Sequence, residues 1–463
     1  MKLISFIVLF AALIATSTAK AAPSLNSFPT ASATILLDFD GHDVSSSMWN
    51  YGTPFSCMPA AMTDVQITEA FNRVAEDFRP FNINVTTDLA KFLAAPLSQR
   101  VRIIITPTSA WYAGVAGIAY VTSFTWGDDT PAFVFSDRLV NDPKRVAEAI
   151  SHETGHTLGL YHQAAYDANC TLTSSYSTGV GSGVTSWGPI MGNVASKNVT
   201  QWNYGATPNG CTYLQDNLSV ITTTNGFGYR TDDVANVYSS ATAITVAANA
   251  FSKDGVISTT TDVDFFKFSF ASTGNFKMNA IPYNVGTDLS GANLDLKITL
   301  YNAKGIIIKT YDIVDSLHIR IDTTLNAGNY FFQIDGAGSI SNANDYGSLG
   351  AYTISGTFSG TTTATTTTKT TGRKTAANPG INSASEETPA IRFKVIKQAQ
   401  QPVIVSATES YDYMVVDNFG RIILNGKAAA GTKTIDIRNQ PTGIYNLRLM
   451  NANEQRTEKF MNR

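Results

Sequence analysis

Residues 151–162 read SHETGHTLGLYH and hold three of the five histidines in a chain of 463 residues. On a helix, His152 and His156 stand one turn apart, so both imidazoles leave from the same face. Two nitrogens can then hold one metal ion. A tetrahedral ion needs its third ligand from another direction, so the chain must turn away before His162. Gly159 is the residue for that turn, because glycine enters left-handed backbone conformations without steric cost. Three neutral imidazoles suit zinc and leave a fourth position open for water, the arrangement of a catalytic rather than a structural site. Glu153 neighbours the ligands without being needed as one. It is placed to accept a proton from that water.

These side chains need a scaffold that aims them, and the upstream sequence alternates between strand and helix signals. ATILLDFDGH (33–42) and RVRIIITPT (100–108) are β-branched apolar runs that predict strands. TDVQITEAFNRVAEDF (63–78) opens on a Thr-Asp cap and carries apolar residues at helical spacing. FNINVTT (81–87), GIAYVTSF (117–124) and PAFVFSD (131–137) add three expected strands. NDPKRVAEAISHETGHTLGL (141–160) has Asn and Asp for capping and Pro in its first turn, so a helix is expected that ends near Gly159. One strand, a helix, four strands and a second helix make an α/β layer.

The stretch HETGHTLGLYH (152–162) resembles the metzincin zinc-protease pattern HExxHxxGxxH in full. The resemblance implies that His152, His156 and His162 bind Zn2+ and that Glu153 is the general base. GPIMGN (188–193) is similar to the tight methionine turn below the metal in that family, with Met191 as the methionine. It further implies an α/β (α+β) catalytic domain with a mixed sheet, in which GIAYVTSF is the edge strand that pairs with a peptide substrate. Some subfamilies carry a tyrosine two residues after the methionine; Asn193 stands there, and Tyr204 and Tyr213 are candidates to replace it. The closer likeness is to secreted bacterial metzincins related to the pregnancy-associated plasma protein group.

Composition agrees with an exported globular chain. Hydrophobic residues make up 43% and charged ones 15%, and a formal net charge of -3 gives no basic footprint for nucleic acid. Residues 1–21 read as a secretory signal: a lysine at position 2, a short apolar run and small residues at the expected cleavage sites. No later stretch is long and apolar enough to cross a membrane as a helix. Export makes Cys57, Cys170 and Cys211 candidates for oxidation, and a Cys170 to Cys211 bridge would pin a long loop beside the histidine cluster. Connectivity does not follow from sequence.

The expected catalytic domain spans 22–229. Beyond it, helical spacing gives way to strands separated by Gly and Asn turns, so 230–359 is expected to be a separate all-β unit. TDVDFFKF (261–268), ANLDLKITLYNAKG (292–305), LNAGNYFFQIDG (325–336) and YGSLGAYTISGTF (346–358) resemble the pre-peptidase C-terminal domain, which implies a small β-sandwich over 230–359. Some such domains bind calcium, which implies Asp232, Asp233, Asp262 and Asp264 as candidate Ca2+ ligands. The Thr-rich stretch 360–390 lacks the apolar side chains for a core and reads as a linker. Residues 391–463 resemble the C-terminal sorting domain of type IX secretion cargo through MVVDNFGRIILNG (414–426), IDIRNQPTGIYNLRL (435–449) and the closing RTEKFMNR. The resulting expectation is a secreted or surface zinc endopeptidase with protein or peptide substrates and the type IX machinery as a partner. The rival is a surface adhesin whose protease domain is inactive or incidental; intact Glu153 and all three histidines argue against it.

Overall fold

A computed structural model of the protein describes residues 22–45, 48–246, 249–286, 289–359, 393–396, 402–417, 422–440, 443–450 and 455–462. The expected signal (1–21) and linker (360–390) lie outside the described residues. The chain is multidomain and mostly β-sheet with few helices. It divides into two compact units, one of residues 22–78, Asn82–Tyr161 and Ser219–Gly228, the other of Arg79–Phe81, His162–Leu218 and the chain from Tyr229 onward.

The first unit is built from β1 (Ala33–Asp38), β2 (His42–Val44), β3 (Phe55–Cys57), α1 (Asp64–Asp77), β4 (Ile83–Thr86), α2 (Leu89–Ala94), β5 (Arg100–Thr106), β6 (Gly117–Ile118), β7 (Ala132–Phe135) and α3 (Pro143–Thr157). Five strands form one mixed sheet in the order β4-β1-β5-β7-β6, with every pair parallel except β6 against β7. All residues of β1, β4 and β7 are buried, as parallel strands covered on both faces must be. Helix α1 starts on a capping box between Thr63 and Gln66. Helix α3 starts on Asp142, whose carboxylate accepts from Arg145 N, with Pro143 in the first turn. The two helices are tied by Ser151 Oγ donating to Asp77 Oδ2 at 2.6 Å, both residues buried.

Two local expectations change. GIAYVTSF forms an edge strand only over Gly117–Ile118. After it the backbone turns, because Tyr120 lays its ring on Trp49 at 4.2 Å, Thr122 adopts a left-handed φ of 72°, and Thr122 N donates to the carbonyl of His156 at 3.0 Å. The chain adds a second bond to a carbonyl at the end of α3, which Gly159 N also reaches, instead of extending the sheet. Helix α2 was not expected: it has six residues, only Phe92 buried, and rests on the Asp88 cap rather than on a periodic apolar face.

In the second unit, strands Thr242–Ala243, Asp264–Phe270, Gly328–Gly336, Leu296–Asn302 and Ile307–Asp312 form one sheet, and Ala250–Ile257, Gly350–Ser359, Gly274–Pro282 and Ile319–Leu325 form another. Strict alternation, as in Gly274–Pro282, turns Phe276 inward from one sheet against Phe268 of the other at 4.6 Å. This is the expected β-sandwich packing. The same unit contains a disulfide between Cys170 and Cys211, while Cys57 of the first unit is free and buried, its thiol pushed up to about 12 by burial. Near the C-terminus a three-stranded and a four-stranded sheet share a core of Val403, Val405, Tyr411, Val415, Ile435 and Leu447 among others.

Candidate metal centre

The three histidines lie in one continuous stretch of eleven residues, so their grouping is set by local backbone. His152 and His156 stand on α3 with ring centroids 4.8 Å apart. The helix ends at Leu158, and Gly159 takes a φ of 100°. Gly159 N donates to His156 O at 2.8 Å and Leu160 N to Gly155 O at 2.9 Å, the paired bonds of a glycine C-cap. Asn225 Nδ2 adds a bond to Leu158 O at 2.8 Å. The reversal brings His162 round, and one ring nitrogen from each of His152, His156 and His162 lies within 4.8 Å of the others, a group able to hold a metal ion.

The protonation pattern suits a ligand. His156 Nδ1 lies 2.7 Å from Leu160 O, and since a carbonyl only accepts, Nδ1 carries the hydrogen and Nε2 keeps its lone pair. Burial lowers the pKa of His156 and so keeps the ring neutral. Glu153 is buried, and burial pushes its carboxyl up to about 8.

Met191 is fully buried in a turn closed by Gly192 N donating to Pro189 O at 2.8 Å. Its carbonyl accepts from Gln163 N at 2.8 Å, one residue beyond the third histidine. Gln163 O accepts from Ser177 N at 2.7 Å, and Ser177 O from Asn193 N at 2.8 Å. This ladder delivers Tyr176, whose ring lies 4.1 Å from that of His162. Sequence reading missed Tyr176, because it lies fourteen positions beyond His162 and no motif marks it. Of the two tyrosines considered from sequence, Tyr204 neighbours Tyr346 at 6.2 Å, and Tyr213 is 65% exposed.

A second group joins Asp232, Asp262 and Asp264, each offering an oxygen within 4.8 Å of the others. Asp262 Oδ2 accepts from Ser258 N and Oγ, and Asp264 Oδ2 from Tyr352 Oη. Oδ1 of each is buried without a hydrogen-bond partner in the described structure. Burial pushes the Asp264 carboxyl up to about 8, aided by repulsion from Asp262, Asp233 and Asp232. Asp233, expected among these ligands, is not in the group; its Oδ1 accepts from Val256 N at 3.2 Å.

Among known families, the secretion system C-terminal sorting domain matches residues 399–463. That domain directs its carrier through the type IX machinery, so the protein is secreted or displayed at the cell surface. Among the described residues no helix is long and apolar enough to cross a membrane. No curated protein matches the sequence. Among solved structures, the chain is similar to the pre-peptidase C-terminal domain of a collagenase from Bacillus anthracis at 14% identity, covering 26% of this chain and 96% of that one with a TM-score of 0.18. A β-glucuronidase from Faecalibacterium prausnitzii matches at 10% identity over 46% of this chain and 36% of its own, TM-score 0.14. The BSP domain of a biofilm-associated protein matches at 13% identity over 48% and 51%, TM-score 0.13. Scores this low carry no inference about fold or activity.

Proposed function

We propose that this chain is a secreted zinc-dependent endopeptidase of the metzincin type, with a catalytic region over residues 22–229 and accessory β-domains after it. The observation that carries the reading is the convergence of three imidazole nitrogens beside a buried carboxyl that is not needed as a ligand. The donor set fits zinc: three imidazole nitrogens, one with its tautomer fixed by Leu160 O, and no fourth protein ligand required. When bound, zinc supplies Lewis acidity, acidifying water towards neutral pH and polarising a peptide carbonyl. Glu153 takes the proton of the attacking water on its carboxylate and later gives it to the leaving amine. The backbone ladder through Gln163, Ser177 and Met191 holds the chain beside His162, and Tyr176 braces the ring of His162.

Tyr176→Ala is expected to weaken zinc binding by about 2- to 10-fold, the scale of losing one aromatic pair worth about 0.5–1.5 kcal/mol, whereas Tyr176→Phe keeps the ring and the affinity. A competition titration against a chromophoric chelator measures both. Equal affinity for Tyr176→Ala and the unsubstituted protein would remove the bracing role.

The carboxylate group at Asp232, Asp262 and Asp264 is proposed to hold Ca2+, with the unpartnered Oδ1 atoms of Asp262 and Asp264 as its buried ligands. Calcium at millimolar concentration is expected to raise the melting temperature of this β-domain, and a chelator to lower it. Because the folded-state pKa of Asp264 is raised to about 8, protons compete for the site below that pH, so the calcium shift should grow as pH rises from about 5 to 8. A melting curve unchanged by calcium at pH 8 would exclude the ion.

A further inference from the structure

Gly117 lies on β6, the edge strand, opposite Val134. Its backbone is outside the positive-φ region, so conformational freedom does not explain the glycine. Space does. A Cβ at this position would stand 2.7 Å from both Cγ and Oε1 of Glu153 and 2.8 Å from the carbonyl oxygen of Phe133. Carbon atoms in van der Waals contact sit about 3.5–4.0 Å apart, so a methyl group and the Glu153 side chain cannot both occupy their places. Glu153 is buried on α3, 7% exposed.

The same glycine faces the open edge of the sheet. Phe135 N donates to Ala116 O at 2.8 Å, which makes that pair a hydrogen-bonded one. In an antiparallel ladder such pairs alternate, so the main-chain N–H and C=O of Gly117 point away from β7. An extended peptide docking on this edge would meet them there.

We propose that Gly117 is a positioning residue: its missing side chain is the room in which the Glu153 carboxylate rests, next to the main-chain groups that would pair with a peptide. The inference rests on the proteolytic reading for its chemical consequence, but the contact itself does not. No residue motif in the chain announces it, because one glycine on a short strand is a weak signal.

The test is a double-mutant cycle in the full secreted chain, with Gly117→Ala, Glu153→Ala and the double variant. In the zinc-loaded protein, Gly117→Ala is expected to keep zinc content while its affinity for a peptide hydroxamate, whose hydroxyl bonds to Glu153, drops tenfold or more. Turnover should fall by about 100-fold, the scale of an ångström-level misplacement. In the Glu153→Ala background the same methyl should cost no further hydroxamate affinity. In the metal-free protein, Gly117→Ala should lower the melting temperature, and Glu153→Ala should recover part of that loss because Cγ and Oε1 are gone. Should Gly117→Ala fail to fold, folding of the double variant shows the same coupling, and failure of both overturns the proposal by assigning the clash to the Phe133 backbone. Additive thermal losses, or unchanged hydroxamate affinity in Gly117→Ala, also overturn it. If the unsubstituted protein holds zinc but binds no hydroxamate and cleaves nothing, the proteolytic reading falls, while the thermal cycle still decides the contact.

Discussion

Glu153→Ala is expected to retain about one zinc per chain and to lose peptide turnover by roughly 10^3-fold or more, the range of removing a general acid-base group. The separation of the two effects follows from the geometry. The three ring nitrogens converge without Glu153, and the tautomer of His156 is fixed by Leu160 O, which the substitution leaves alone. Glu153 faces Gly117 of the edge strand rather than serving as a ligand. His156→Ala is expected to give the contrasting result, loss of both metal and turnover, because it removes one of the three proposed ligands. Metal analysis beside a progress curve on a denatured protein substrate reads both variants. Retained peptidase activity in Glu153→Ala would remove the residue from the mechanism.

Deleting residues 391–463 is expected to leave nearly all of the protein in the periplasm, with the catalytic region still folded. The sorting domain has its own core, in which Val405, Val415, Leu447 and Leu449 are fully buried. A single Leu447→Asp substitution should therefore act like the deletion, since a buried unpaired charge costs several kcal/mol, about the stability of a small domain. Cell fractionation with an antibody to the catalytic region separates the outcomes. Normal release of the truncated chain would mean that export does not depend on this domain.

The grouping of the three histidines was legible because its determinants are local. A helical face, a glycine that ends it and a histidine beyond all lie within eleven residues, and the backbone bonds at Gly159 and Leu160 realise the turn that the spacing demanded. The disulfide was legible only as one of several pairings. Long-range determinants were not legible. Tyr176 reaches His162 through a ladder linking Gln163, Ser177, Asn193 and Met191, which no periodicity encodes. The edge strand stops at Ile118 because Thr122 N bonds to the end of α3, a tertiary contact that overrides the β-branched run. Asp233 looked equivalent to Asp232 in sequence, yet a backbone N–H of a neighbouring strand takes its carboxylate. The sorting domain was readable as a resemblance carried by its turn and strand sequences, and the family match covers 399–463.

Zinc content measured together with casein cleavage on the full secreted chain, before and after treatment with a chelator, tests whether the protein is a zinc endopeptidase. About one zinc per chain is expected, with cleavage abolished by the chelator and restored by added zinc. Cleavage that survives removal of the metal, or a chain that holds zinc and cleaves neither casein nor any member of a peptide library, would mean that it is not.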